Sequence, residues 1–157
     1  MVWLWISAAI VAAILAVVGA RFARARMLQQ RDQRQRAEFK SQRERLEAKF
    51  FEIAGNSGKP RGLRWSDCSF DDEITYARQR QTGELCALVG VTISFEAIIG
   101  GGMEEVEAVG NLRSATAVFR HENGRWQTDG RAIFNLNPTE AIAYYQENLA
   151  PIASIGA

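Results

Sequence analysis

Residues 85–97, LCALVGVTISFEA, decide the fold of this chain. The odd positions carry Leu, Ala, Val, Val, Ile, Phe and Ala, whereas most even positions carry small or polar side chains. Successive side chains of a strand point to opposite faces of a sheet, so this period of two predicts a long, half-buried strand. We therefore expect a sheet with one face turned towards a hydrophobic core.

A hairpin is predicted immediately before this strand. A two-residue turn at residues 82–83, Thr-Gly, would pair Ile74 with Val91 and Tyr76 with Val89. Both pairs fall on the apolar row, which supports this register.

A second hairpin is predicted around Asn123-Gly124, the dipeptide most typical of a type I′ turn. We expect Gly130 to mark a bend, because the apolar alternation is lost beyond it. The predicted cross-strand pairs are Glu122 with Arg125, His121 with Trp126, and Phe119 with Thr128.

Three further elements complete the domain. Residues 63–70 are predicted to form another strand, and the glycines at 100–102 a flexible loop. A helix should begin after Asn137, because Pro138 suits its first position and Glu140 completes a cap. We expect this helix to reach Leu149.

An apolar stripe precedes the sheet, at Phe39, Leu46, Phe50 and Ile53. Its spacing suits a helix, but it lasts barely two heptads, and Arg43 interrupts it. We expect the stripe to pack on the protein's own sheet. Parallel dimerisation through the stripe is the alternative.

The predicted fold class is α+β, with an antiparallel sheet of about five strands and helices covering one face. In outline only, this architecture is similar to that of cystatin-like and NTF2-like domains, in which a sheet wraps a helix. No specific motif supports the resemblance. It implies, at most, a sheet face that a ligand could occupy.

Residues 2–20 contain no charge, Pro, Asn or Gln. As a helix they would be about 28 Å long, close to the roughly 30 Å of bilayer hydrocarbon. Residues 1–20 are therefore predicted to form a transmembrane helix, with Trp3 and Trp5 as interfacial anchors. A cleaved signal peptide is the alternative, although no Lys or Arg precedes the apolar run.

Arginines follow the predicted span at once, beginning with Arg21, Arg24 and Arg26. The positive-inside rule places the carboxyl-terminal side in the cytoplasm, and these arginines, with Trp3 and Trp5, would form the membrane anchor. The predicted organisation is a basic helical stalk at residues 21–55, a linker at 56–61 and the α+β domain at 62–157.

Charge is divided along the chain. Residues 21–64 carry 13 Lys/Arg and 5 Asp/Glu, a difference of +8, whereas residues 65–157 carry 6 and 13, a difference of −7. A basic segment beside an anionic leaflet is favourable, so membrane lipid is the expected partner of the stalk. We expect no nucleic-acid binding, because Phe22 is the only aromatic side chain among these arginines before Phe39.

No catalytic, cofactor-binding or metal-binding constellation is recognisable. His121 is the only histidine, and Cys68 and Cys86 have no metal-ligand spacing. The acidic runs at residues 71–73 and 104–107 are typical of solvated turns. Trp65, His121 and Trp126 form a candidate interaction surface, with a core position as the alternative.

The leading functional hypothesis is a non-enzymatic, single-pass membrane protein that presents a small cytoplasmic binding domain to a protein partner or a second copy. The first alternative is a tethered NTF2-like domain that binds or converts a small ligand. The second is an extracytoplasmic domain, in which Cys68 and Cys86 could form a disulfide.

Overall fold

A helix of 55 residues, α1 (Val2–Asn56), opens the chain. The computed structural model describes residues 2–57 and 62–152, without the side chains of residues 2, 4–11 and 108. Two compact units are present, Met1–Glu38 and Phe39–Ala157, and α1 contributes residues to both.

The first unit is helical, and its described side chains at residues 12–31 are all exposed. Apolar side chains are among them, including Leu15 at 65 % and Val17 at 58 % exposure. Within the described residues, no stretch of helix is long and apolar enough to cross a membrane. The transmembrane part of the predicted fold is therefore not supported by the structure.

The second unit has the predicted α+β composition, with six strands among the described residues where about five were expected. Its sheet is antiparallel, in the order β4-β3-β2-β1-β6, and β5 also pairs with β3. The elements are β1 (Leu63–Gln79), β2 (Leu85–Ala97), a 3₁₀ turn (Glu107–Gly110), β3 (Arg113–Glu122), β4 (Arg125–Gln127), β5 (Ala132–Phe134), α2 (Pro138–Tyr144) and β6 (Leu149–Pro151).

Two hydrophobic clusters cover opposite faces of the sheet. On the α1 face, Phe39 and Phe50 pack on the odd-numbered row of β2. On the α2 face, Ile142 packs with Cys86 and Leu88 from the even-numbered row. The prediction that the helices share one face is therefore wrong. Because α2 covers its own face, the amino-terminal half of β2 is buried on both sides rather than on one.

The stripe on α1 packs as predicted on the protein's own sheet. Phe39, Leu46 and Phe50 are buried, and Ile53 is half-buried. The Phe39 ring lies 5.3 Å from that of Phe119 and 4.8 Å from that of Trp126, measured between centroids. Edge contacts of this kind add to the gain from apolar burial, so aromatic packing holds the helix on the sheet.

The first hairpin differs from its prediction by two residues in register. Ile74 pairs with Val89, and Tyr76 pairs with Ala87, because residues 80–84 form a longer connection than a two-residue turn. A shift of two keeps every side chain on its expected face. Residues 63–70 are indeed a strand, but they continue into the next one as a single β1 with irregularities after Trp65 and after Phe70.

The second hairpin confirms two of its predicted pairs, Glu122 with Arg125 and His121 with Trp126. Asn123 and Gly124 both have positive φ, as a type I′ turn requires. The strand ends at Gln127, so the third predicted pair is absent from the ladder. Instead, the Thr128 hydroxyl donates to the Val118 carbonyl.

Helix α2 begins as predicted and ends earlier than predicted. Asn137 caps it, and the Glu140 side chain accepts from the Asn137 backbone N–H, which completes a capping box. The helix ends at Tyr144 rather than near Leu149, because the chain turns and forms β6 against residues 77–79 of β1. The backbone groups of β6 thereby gain sheet partners.

Candidate functional site

The predicted membrane-anchor residues lie in the first unit. Trp3 is 84 % exposed, and Arg21, Arg24 and Arg26 are exposed. The Trp5 side chain lies outside the described residues. The described anchor side chains are therefore exposed on the surface of the helix.

The candidate interaction surface lies in the core. Trp65, His121 and Trp126 are 6 %, 8 % and 3 % exposed. Trp65 packs against Phe50, with ring centroids 6.1 Å apart, and His121 lies 5.3 Å from Trp126. These positions agree with the core alternative, and the three side chains offer little area to a partner.

The α1 face of the sheet is filled. Phe39, Phe50 and Phe119 have no exposed surface and occupy its centre. A ligand inside the sheet would have to displace these rings, and burying an aromatic ring is among the larger contributions to a core. The groove described below lies at the surface of this unit.

Strand β1 has β2 along one side and, among the described residues, only the short strand β6 along the other. Strand β6 pairs only with residues 77–79, and the Ile152 N–H adds one further bond to the Tyr76 carbonyl. In the described chain, no strand lies on the outer side of residues 63–70. We call residues 63–70 the β1 edge.

A groove of about 370 Å³ runs between α1 and the β1 edge. The helix contributes residues spaced three, four and seven apart, so they share one face. We call this feature the edge groove. Its lining residues are Glu44, Glu47, Ala48, Phe51, Ser66, Asp67, Cys68 and Phe70.

Arg43 closes one end of the β1 edge. Its guanidinium donates to the Asp72 carbonyl at 2.9 Å and also to the Asp71 carbonyl, while its Nε lies 2.6 Å from Glu47 Oε1. The irregularity after Phe70 takes these carbonyls out of the ladder with β2, and Arg43 satisfies them. An arginine inside an apolar stripe is the sequence signal that could have indicated this role.

Three carboxylates line the edge groove, and one of them, that of Glu47, is paired with Arg43. Burial, together with the nearby carboxylates of Asp67 and Glu47, raises the pKa of the Cys68 thiol to about 12. A thiol with such a pKa is a poor nucleophile at neutral pH. The groove therefore offers no activated cysteine.

Cys68 and Cys86 are too far apart for a disulfide within one chain. Cys68 pairs with Ile93 of β2, so seven residues separate its partner from Cys86. At about 3.3 Å per residue this is roughly 23 Å, whereas bridged cysteines have Cα atoms within about 7 Å. Both thiols are free.

The two acidic runs do not form a metal site in the described residues, among which no group of three or more candidate ligands converges. Asp71 lies over Gly90, where any side chain would meet its carboxylate. Glu104 accepts a hydrogen bond from the Gly100 N–H, and backbone hydrogen bonds lower the pKa of its carboxyl. These acids shape their own loops.

No protein-family model, curated protein or solved structure matches the chain. The outline resemblance to cystatin-like and NTF2-like domains therefore stays a prediction. Sequence reasoning missed the β1 edge, because the order of strands in a sheet, and hence which strand lies outermost, is a property of the tertiary fold.

Proposed function

We propose that this protein is a single-pass, membrane-anchored protein that presents a small cytoplasmic binding domain. Its second unit would act by binding a protein partner, without catalysis. The observation that carries the binding role is a filled sheet face beside an open groove lined in part by carboxylates. Such a surface suits a polypeptide better than an enclosed small molecule.

The anchor is supported by the sequence of residues 2–20 and by the exposure of their described apolar side chains, including Ile14 and Val18. A helix that is apolar on every side has no polar face to present to water. The arginines from Arg21 onward support a cytoplasmic position for the domain.

The anchor is tested by alkaline extraction of membranes from cells that express the full chain. The unaltered protein should stay with the membrane, whereas Ile14→Arg combined with Val17→Arg should release it. Each arginine at the centre of a span costs about 2.5–3.5 kcal/mol on insertion scales. Met27→Arg combined with Gln30→Arg adds the same charge beyond the predicted span and should leave the protein in the membrane. Release of the unaltered protein would contradict the proposal.

The binding role is tested by cross-linking in intact membranes. A photoreactive residue at Ser69, on the β1 edge, should yield a protein adduct, and the same residue at exposed Arg125 serves as the control. Recovery of lipid adducts alone from both positions would count against a protein partner.

The alternative of a tethered NTF2-like ligand-binding or catalytic domain requires space against the sheet. Phe39 and Phe50 occupy that space on the α1 face. We therefore favour the binding module over the small-ligand hypothesis.

A further inference from the structure

We infer that the loop between β2 and β3 binds a partner protein by placing Ile99 in an apolar pocket whose rim carries lysine or arginine. We call residues 98–112 the β2–β3 loop. None of its described residues lines the edge groove, so it is a different surface of the second unit. The inference rests on the proposed function in one respect, because it takes the second unit to bind a protein.

Large apolar side chains are concentrated on the surface of the β2–β3 loop. Ile99 is 96 % exposed. Three more exposed apolar side chains belong to the same loop, namely Ile98, Val106 and Leu112. Elsewhere in the described second unit, the large apolar side chains that are exposed are Phe134 and Tyr144. Exposed apolar side chains that are grouped rather than scattered mark interaction sites.

Hydrogen bonds and packing define the course of the loop. At its start, the Ile98 N–H donates to the Gly62 carbonyl at 2.9 Å, and the Gly101 N–H donates to the Ile98 carbonyl at 2.8 Å. A Cβ on Gly101 would lie 2.8 Å from the same Ile98 oxygen, so this turn requires glycine. Further along, Val109 packs against the core. A loop that is held at both ends loses less conformational entropy when a partner binds it.

Charge specifies the rim of the partner's pocket. Residues 98–112 include Glu104, Glu105 and Glu107, and they contain no Lys or Arg. All three glutamates are exposed. Because potentials across a specific interface are complementary, a partner that accepts Ile99 should carry lysine or arginine around the apolar pocket.

The same charge argues against a lipid surface and against a second copy of the loop as the occupant. An anionic leaflet repels carboxylates. Segments that lie in a membrane interface are rich in Lys, Arg and aromatic side chains, and residues 98–112 have none of these. A two-fold contact between two β2–β3 loops would bring the same glutamates face to face. A basic protein surface meets none of these obstacles.

The test is photocross-linking in isolated membranes, with Ile99 replaced by a photoreactive residue. It should yield an adduct with another protein, and the yield should fall when salt is raised before irradiation, because salt screens exposed charges. Mass spectrometry should map the adduct to apolar residues that have lysine or arginine beside them. The same photoreactive residue at Tyr144, which is exposed on α2, should not capture that protein.

Charge variants test the role of the glutamates in the chain that carries the photoreactive residue at position 99. Glu105→Gln combined with Glu107→Gln should lower the adduct yield about threefold for each carboxylate, as expected for exposed ion pairs. Glu52→Gln combined with Glu147→Gln removes equal charge from exposed positions outside the loop and should leave the yield unchanged. All four positions are exposed, so both double variants should fold.

Four results would overturn the inference. They are the absence of any adduct, adducts with lipid alone, an adduct between two copies of this chain, and a protein adduct whose yield ignores both salt and the loop glutamates. Release by alkaline extraction would instead count against the proposed anchor. A salt-sensitive protein adduct from position 99, with lipid adducts alone from Ser69, would count against the edge groove and leave the inference standing.

Discussion

At the scale of single residues, Arg43 joins α1 to the most irregular part of the sheet. Arg43→Met would leave the Asp71 and Asp72 carbonyls without their donor. We expect a loss of about 1–2 kcal/mol in the free energy of unfolding. Urea unfolding followed by near-ultraviolet circular dichroism measures it. Arg45→Met is the control, because Arg45 is exposed and among the described residues donates a hydrogen bond to nearby Gln42, so its loss should stay within about 0.5 kcal/mol. Equal losses would contradict this role.

The thiols give a second prediction at the same scale. Burial raises the pKa of Cys68 from 9.0 to about 12 and that of Cys86 to about 11. At pH 8 the thiolate of folded Cys68 should be on the order of a thousandfold scarcer than in the unfolded chain, so iodoacetamide should label it correspondingly slowly. Peptide mapping separates the two sites. Asp67→Asn should speed labelling of Cys68 and leave Cys86 unchanged, and rapid labelling of native Cys68 would contradict the prediction.

The same shifts set a direction for the pH dependence of stability. The folded chain holds both thiols protonated above pH 9, where those of the unfolded chain ionise. The folded state therefore binds more protons in this range, and the free energy of unfolding should fall as pH rises above about 9.

At the scale of elements, Gly130 shows how closely α1 lies on the sheet. Its φ is +73°, and a Cβ there would come within 2.8 Å of the Ala54 nitrogen and of Ile53 Cγ2. Gly83 also has a φ of +73° but nothing within 4 Å. Gly83→Ala should therefore cost about 1–2 kcal/mol from backbone strain alone. Gly130→Ala should cost a further 1–3 kcal/mol or so from overpacking. Thermal unfolding of the two variants measures the loss of stability in each. Equal losses would show that α1 shifts away from residue 130 to make room for the added Cβ.

At the scale of the whole molecule, charge is separated along the chain. If the arginines beside the predicted span set its orientation, replacing Arg21, Arg24 and Arg26 with Gln should lower the fraction of chains whose carboxyl terminus is cytoplasmic. A reporter fused after Ala157, active on one side of the membrane only, measures that fraction. Replacing Arg64, Arg113 and Arg125 with Gln removes equal charge far from the span and should have no effect. An external signal from the unaltered chain would overturn the orientation.

Local patterns predicted the elements of the second unit well. The alternation in residues 85–97 predicts β2 with its observed bounds, Asn123-Gly124 predicts the β3–β4 turn, and the Asn137 cap predicts the start of α2. Each of these signals acts over a few residues, through side-chain direction, positive φ or capping of free N–H groups. The stripe on α1 likewise predicts its contact with the sheet.

Tertiary structure alone decided the arrangement of these elements. The two-residue shift between β1 and β2 preserves every side-chain face, so the apolar pattern cannot distinguish the two registers. Helix α2 stops at Tyr144 because distant residues 77–79 offer partners to β6. Residues 63–70 form the β1 edge because β6 is short, and the edge groove forms because α1 passes beside this edge.

The sequence by itself determined which segments are helix or strand and which of their faces are apolar, since those properties are local. Which strands are neighbours, their register and the position of the β1 edge depend on contacts between residues far apart in the chain.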